Sequence, residues 1–144
     1  MNSKRYFVIG VIILIFLSIK FYDDHRVKGL GDVIEYDINK FETLTFNEGY
    51  MDNFDWRTDQ KEHVEELDHF LSPYRVKKMK DKEWNQDVSE EEGFKMTIYT
   101  RGGPIIAFIY EHRLLFLNEH HYYEVVNGPI DIDWVESYVE KIQQ

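Results

Sequence analysis

Residues 94–110 read Phe94-Lys-Met-Thr-Ile-Tyr-Thr-Arg-Gly-Gly-Pro-Ile-Ile-Ala-Phe-Ile-Tyr110, and this stretch decides the fold class. Phe94, Met96 and Ile98 alternate with Lys95, Thr97 and Tyr99, the period-two pattern of a strand with one face on a core. Gly102-Gly103 accepts the positive φ that a tight hairpin turn needs. A phosphate-binding loop would lead from a strand into a helix N-terminus, whereas this turn joins two strands. Beyond it, Ile105–Tyr110 and Leu114–Leu117 are almost wholly apolar, as expected of central strands covered on both faces. Tyr122–Val126 completes an antiparallel meander.

Working outward toward the N-terminus, residues 85–92 form a polar, acidic loop that includes Glu90-Glu91-Glu92, read as solvated. Tyr74–Lys82 reads as a basic strand. A helix is expected from near Asp59, where Asp59 and Glu62 have capping-box spacing and Val64, Leu67, Phe70 and Leu71 form one stripe. Pro73 ends it, because the residue before proline is pushed out of the helical region. Phe41–Phe46 is a strand with a turn signal at Asn47-Glu-Gly49, and Asp32–Asp37 a weaker one. Toward the C-terminus, Asn127-Gly-Pro129 breaks the sheet. A last helix follows, with Asp133 as its expected cap, Glu136 at capping-box spacing and Val135, Tyr138, Val139 and Ile142 as its apolar stripe. Short connections between consecutive strands imply an α+β domain, a mainly antiparallel sheet of six or seven strands with two helices on one face.

The N-terminus is different in kind. Phe7 to Ile19 carries no charge, and with Tyr6 and Phe21-Tyr22 the apolar stretch is about 17 residues, roughly 25 Å as a helix. Lys20 can snorkel to the interface, and the aromatic residues suit a membrane belt. The exit, Leu17-Ser-Ile-Lys-Phe-Tyr-Asp23, offers no small-residue cleavage site, which favours a retained single-pass signal-anchor over a removed signal peptide. Lys4 and Arg5 are nearly balanced by Lys20, Arg26 and Lys28, but the short tail before the first charges places the following domain outside the cytoplasm. The expected organisation is an anchor with a short cytoplasmic N-terminus (1–22), a polar, glycine-containing tether (23–31) and an acidic domain (32–144). Residues 6–22 meet the membrane, and the location is the cell membrane.

Composition excludes several functions. Beyond residue 19 the chain has 15 Lys and Arg against 27 Asp and Glu, a net of −12. Such a field repels nucleic acid. The absence of cysteine removes thiol catalysis, Cys-ligated zinc, disulfides and a lipid-acceptor site together. Ten Tyr, ten Phe and three Trp argue for a packed core rather than a disordered chain.

Within the domain, candidate chemistry is sparse. Ser72, Ser89 and Ser137 lack a nucleophile-elbow setting. His112, His120 and His121 are the candidate metal ligands, near neighbouring strand ends with Glu111, Glu119 and Glu124 close by. Adjacent His120 and His121 point to opposite faces if in a strand, so at most one joins His112. Asp131 and Asp133 lack the rest of an EF-hand loop. Arg75, Lys77, Lys78, Lys80 and Lys82 are a local anomaly in an acidic chain, suited to an anionic partner or the membrane, or to guarding an edge strand. Of Trp56, Tyr74, Trp84, Tyr99, Tyr122 and Tyr123, some must be exposed in so small a domain. Arg75, Lys77, Lys78, Lys80, Trp84, Tyr122 and Tyr123 are thus the candidate binding residues.

The acidic helix ending Leu71-Ser-Pro-Tyr74, the lysine-rich strand after it and the closing Tyr122-Tyr-Glu-Val-Val-Asn-Gly-Pro-Ile-Asp-Ile-Asp-Trp134 resemble patterns in small membrane-anchored proteins of unknown function from Bacillus-type bacteria. The resemblance spans about residues 59–142. It implies an extracytoplasmic location and no active-site residues, and the missing cysteine sets this chain apart from lipoproteins of that kind. The expectation is a non-enzymatic, membrane-anchored domain that needs no cofactor and binds an envelope or membrane protein. An immunity-type protein against a toxin or bacteriocin, and a metal-dependent enzyme, are the alternatives.

Overall fold

The computed structural model describes residues 3–48, 56–80 and 91–142. The order is helix α1 (Ser3–His25), strand β1 (Lys28–Gly29), helix α2 (Leu30–Val33), β2 (Phe41–Glu48), β3 (Trp56–Thr58), α3 (Lys61–Leu71), β4 (Arg75–Lys78), β5 (Gly93–Thr100), β6 (Gly103–Tyr110), β7 (Arg113–Phe116), β8 (His121–Val125) and α4 (Ile132–Ile142), with a 3-10 turn at Ile38–Lys40. The eight strands form one antiparallel sheet in the order β1-β4-β8-β7-β6-β5-β2-β3. The expected α+β architecture is the observed one, with the apolar β6 and β7 at its centre.

Register places the core. Phe46 stands opposite Met96, Met96 opposite Ala107, and Ala107 opposite Phe116. Phe94, Ile109, Leu114 and Tyr123 make the next row. On this face pack Val64, Leu67 and Leu71 of α3 and Ile132, Val135 and Tyr138 of α4. The two helices meet through aromatic rings. Trp134 stacks on Phe70 at 3.9 Å and on Tyr138 at 4.8 Å, and Tyr138 reaches Phe46 and Trp56 edge-on. On the opposite face Thr43, Thr45, Thr97, Phe108 and Tyr110 are also buried, but Ile106 and Leu115 of the central strands are only partly covered, so the expected cover on both faces is incomplete.

Four further expectations need correcting. Asp32–Asp37 is not a strand: Leu30 and Ile34 are buried, and their i, i+4 spacing suits the short helix α2. The helix α3 starts at Lys61 after Gln60 and has no side-chain cap; Thr58 Oγ1 instead accepts from Gln60 N at 3.1 Å. For α4 the cap is Asp131, whose Oδ1 accepts from Trp134 N at 3.1 Å, and Asp133 lies inside the first turn. The expected tether at 23–31 is built into the fold. Residues 23–25 continue α1, Lys28 and Gly29 pair with Val76 and Arg75, and Leu30 is 0% exposed.

Helix α1 is long and apolar enough to cross a membrane, and none of its apolar span is buried against the domain. Its run of Val and Ile has no strong helical preference in water. In lipid every backbone group must be satisfied within the segment, which selects the helix. Ser18 donates to Leu14 O at 2.8 Å and so leaves no open hydroxyl.

Candidate functional site

Among the described residues, a cleft of about 600 Å³ runs along one face of α4. Four described segments build it: Phe46 and Asn47 of β2, Trp56 of β3, residues 91–94 leading into β5, and Ile132, Val135, Glu136, Val139 and Glu140 of α4. Its floor is aromatic. Phe46 lies 5.3 Å from Trp56 and 5.6 Å from Phe94 between ring centroids. Gly93 is required where β5 leaves the cleft, because an added Cβ would sit 2.6 Å from the Ile109 carbonyl oxygen.

Four carboxylates, Glu91, Glu92, Glu136 and Glu140, surround that floor. They differ in their engagement. Glu91 is held in a two-pronged pair with Arg113, whose side chain is largely buried. Glu92, Glu136 and Glu140 make no ion pair among the described residues. Glu136 and Glu140 stand one helical turn apart on α4, a spacing at which like charges repel. Among the described residues the lining holds no Lys, Arg or His.

The sequence-selected histidines are not brought together. His112 lies in the turn before β7, while His120 and His121 lie at its other end. Strand β7 separates them by roughly 13 Å at the usual rise per residue. His120 has φ 54 and is exposed. His121 lies between Lys78, 2.9 Å from Nε2, and Glu119, 2.9 Å from Nδ1. With its proton on Nδ1, the ring accepts from the ammonium and faces the carboxylate. Among the described residues no three His, Asp or Glu side chains converge as metal ligands would.

The basic candidates are dispersed along the β1 edge of the sheet. Arg75 donates to Ser72 O at 2.9 Å and Tyr74 O at 3.3 Å, and Lys77 is exposed opposite Glu124. Lys80 is exposed beyond the end of β4. Strand β4 is one position from the edge, with only the two residues of β1 outside it. Tyr123, expected as a binding residue, is a core residue; burial first, then Glu119 and Asp24, raise its phenol pKa. Tyr122 is half-buried on the opposite face of the sheet. Trp84, Lys82, Ser89 and most of the 85–92 loop lie outside the described residues.

Reading the sequence missed the cleft. Trp56 counted only as a surplus aromatic, and Glu91 and Glu92 as part of a solvated run. The available signal was Glu136 and Glu140, two like charges at i, i+4 with no cation between them. No family model, curated protein or solved structure matches the chain.

Proposed function

We propose that the chain is a membrane-anchored, non-enzymatic binding domain, held outside the cytoplasm by α1 and presenting its α4 cleft to a partner in the envelope. The observation that carries this reading is the junction of anchor and domain. An apolar helix with none of its span buried runs to His25, and within a few residues the chain is a strand of the sheet. A domain joined so closely works at the bilayer surface. The cleft lining supports binding over turnover, since apolar rings, one amide and carboxylates are suited to holding a cation.

Three measurements test it. Protease added to intact cells should remove a C-terminal tag from the full-length chain, and a tag that survives until the cells are lysed would refute the outside location. Photo-crosslinking from a residue beside the cleft, such as Ser137, should capture one partner in stoichiometric amount. A purified full-length chain that instead shows catalytic turnover would end the non-enzymatic reading. The uncompensated carboxylates also suit the immunity-type alternative, in which the partner is a basic toxin. Unchanged toxin sensitivity on deletion of the gene would count against that version.

A further inference from the structure

We infer that the α4 cleft receives a basic peptide segment in which arginine or lysine alternates with apolar side chains. This rests on the reading of the chain as an anchored binding domain and names the chemistry of its partner.

Charge gives the first part of the case. Glu91 is already occupied by Arg113, which leaves Glu92, Glu136 and Glu140 as rim carboxylates without a counter-charge among the described residues. Lys141, the basic residue nearest in sequence on α4, is turned away and bonds Glu66 of α3 at 2.8 Å. Glu136 and Glu140 therefore repel each other on one helix, with no counter-charge among the described residues. A bound cation would turn that unfavourable spacing into a two-pronged receptor.

The floor gives the second part. A metal ion would require converging oxygen ligands, and no such group exists among the described residues. The rim instead encloses Trp56, Phe46 and Phe94, with Val135 and Val139 beside them. All of these but Val139 are core side chains that show little surface to the cleft, and what they show is apolar and accepts aliphatic side chains, so a cation is held by the rim carboxylates. The volume of about 600 Å³ suits a short segment of chain. The cleft also lies beside β2, six strand spacings or about 29 Å from β1 and the anchor, so the bilayer need not obstruct a peptide.

The test uses the full-length chain in nanodiscs of zwitterionic lipid and a fluorescein-labelled Arg-Leu-Arg-Leu-Arg-Leu peptide, read by anisotropy against empty discs. Saturable one-to-one binding is expected, with no binding of the Glu-Leu counterpart and about tenfold weaker binding of an Arg-Gly counterpart. The double variant E136Q/E140Q should weaken binding by about tenfold, whereas E62Q/E65Q, on exposed positions of α3, should leave it unchanged. Equal weakening by both variants would reduce the effect to general acidity and overturn the proposal. No binding by the native chain, no effect of E136Q/E140Q, or equal affinity for the Arg-Gly peptide would overturn it as well. A cellular partner crosslinked equally well by native and E136Q/E140Q chains would refute the cleft assignment while leaving the anchored binding domain standing.

Discussion

Two asparagines supply hydrogen bonds that strands would otherwise make. Strand β6 runs past the end of β7, and there Asn118 accepts from Ile106 N and donates to Pro104 O, both at 2.7 Å. Asn127 does the same for the chain entering β4, accepting from Arg75 N at 2.6 Å and donating to Pro73 O at 2.9 Å. Asn118→Ala leaves both backbone groups without that partner and should cost about 1–2 kcal/mol in urea unfolding. Asn118→Asp, which keeps only the acceptor, should fall between. Neither role was legible, because Asn118-Glu119 and Asn127-Gly128 read only as turn chemistry, while the partners lie up to 54 residues away. Asp68 gives the pH dependence. Burial raises its carboxyl pKa above 3.8, Glu65 adds to the rise, and the Tyr36 hydroxyl, donating to Oδ2 at 2.5 Å, opposes it. The folded state therefore holds the Asp68 proton more tightly than the unfolded state does. This contribution is complete below the unfolded pKa and fades as pH rises through the folded one. Asp68→Asn keeps an acceptor for Tyr36 and removes the buried charge. Its stability relative to the native chain should rise from pH 3.8 upward and then level off, in denaturation series at stepped pH. A relative fall over that range would show that the charged form is the favoured one.

At the level of elements, what was readable depended on how local the information was. The strands β5 to β8 follow from alternation and turn residues within a few positions of each other. Helices α3 and α4 follow from their stripes, since Val64, Leu67 and Leu71 and then Val135 and Tyr138 are indeed buried. Strands β1 and β3, two and three residues long, are too short to carry a period. Caps failed for another reason. Asp131 and Asp133 are chemically equivalent in sequence, and the burial of Ile132 and Ile130 decides which of them stands at the boundary. The two are separable by experiment. Asp131→Ala should cost about 1 kcal/mol through the lost bond to Trp134 N. Asp133→Ala loses only a favourable first-turn charge, a few tenths of that. Equal costs in denaturant titrations would refute the assignment of the cap. Helix α1 was legible as a helix only because its length matched a bilayer. The same residues in water would have left helix and strand undecided.

Across the whole molecule, the missing information is which distant segments meet. Nothing in the sequence says that β2 lies beside β5, or that β4 sits between β1 and β8, because those pairings join residues about fifty positions apart. The cleft inherits the same difficulty, since it needs β2, the start of β5 and α4 together; only the Glu136 and Glu140 spacing was visible beforehand. The domain boundary shows the consequence most directly. A tether ending at residue 31 would put the start of the independent domain at Asp32. Yet Lys28 and Gly29 pair with β4, Leu30 N donates to Tyr74 O at 3.0 Å, and the Leu30 side chain is fully buried. Removing Leu30 should cost about 2–3 kcal/mol of apolar burial, before the lost strand pairing is counted. A soluble fragment beginning at Arg26 should therefore melt about 10 °C above one beginning at Asp32, for a domain of this size. The difference should persist in an Arg26 fragment with Lys28→Gln and shrink to the share of the strand pairing with Leu30→Ala, which assigns the larger part to burial rather than to charge. Equal melting temperatures for the two native fragments would mean that residues 26–31 are a tether after all, and the domain would then be free to move relative to its anchor.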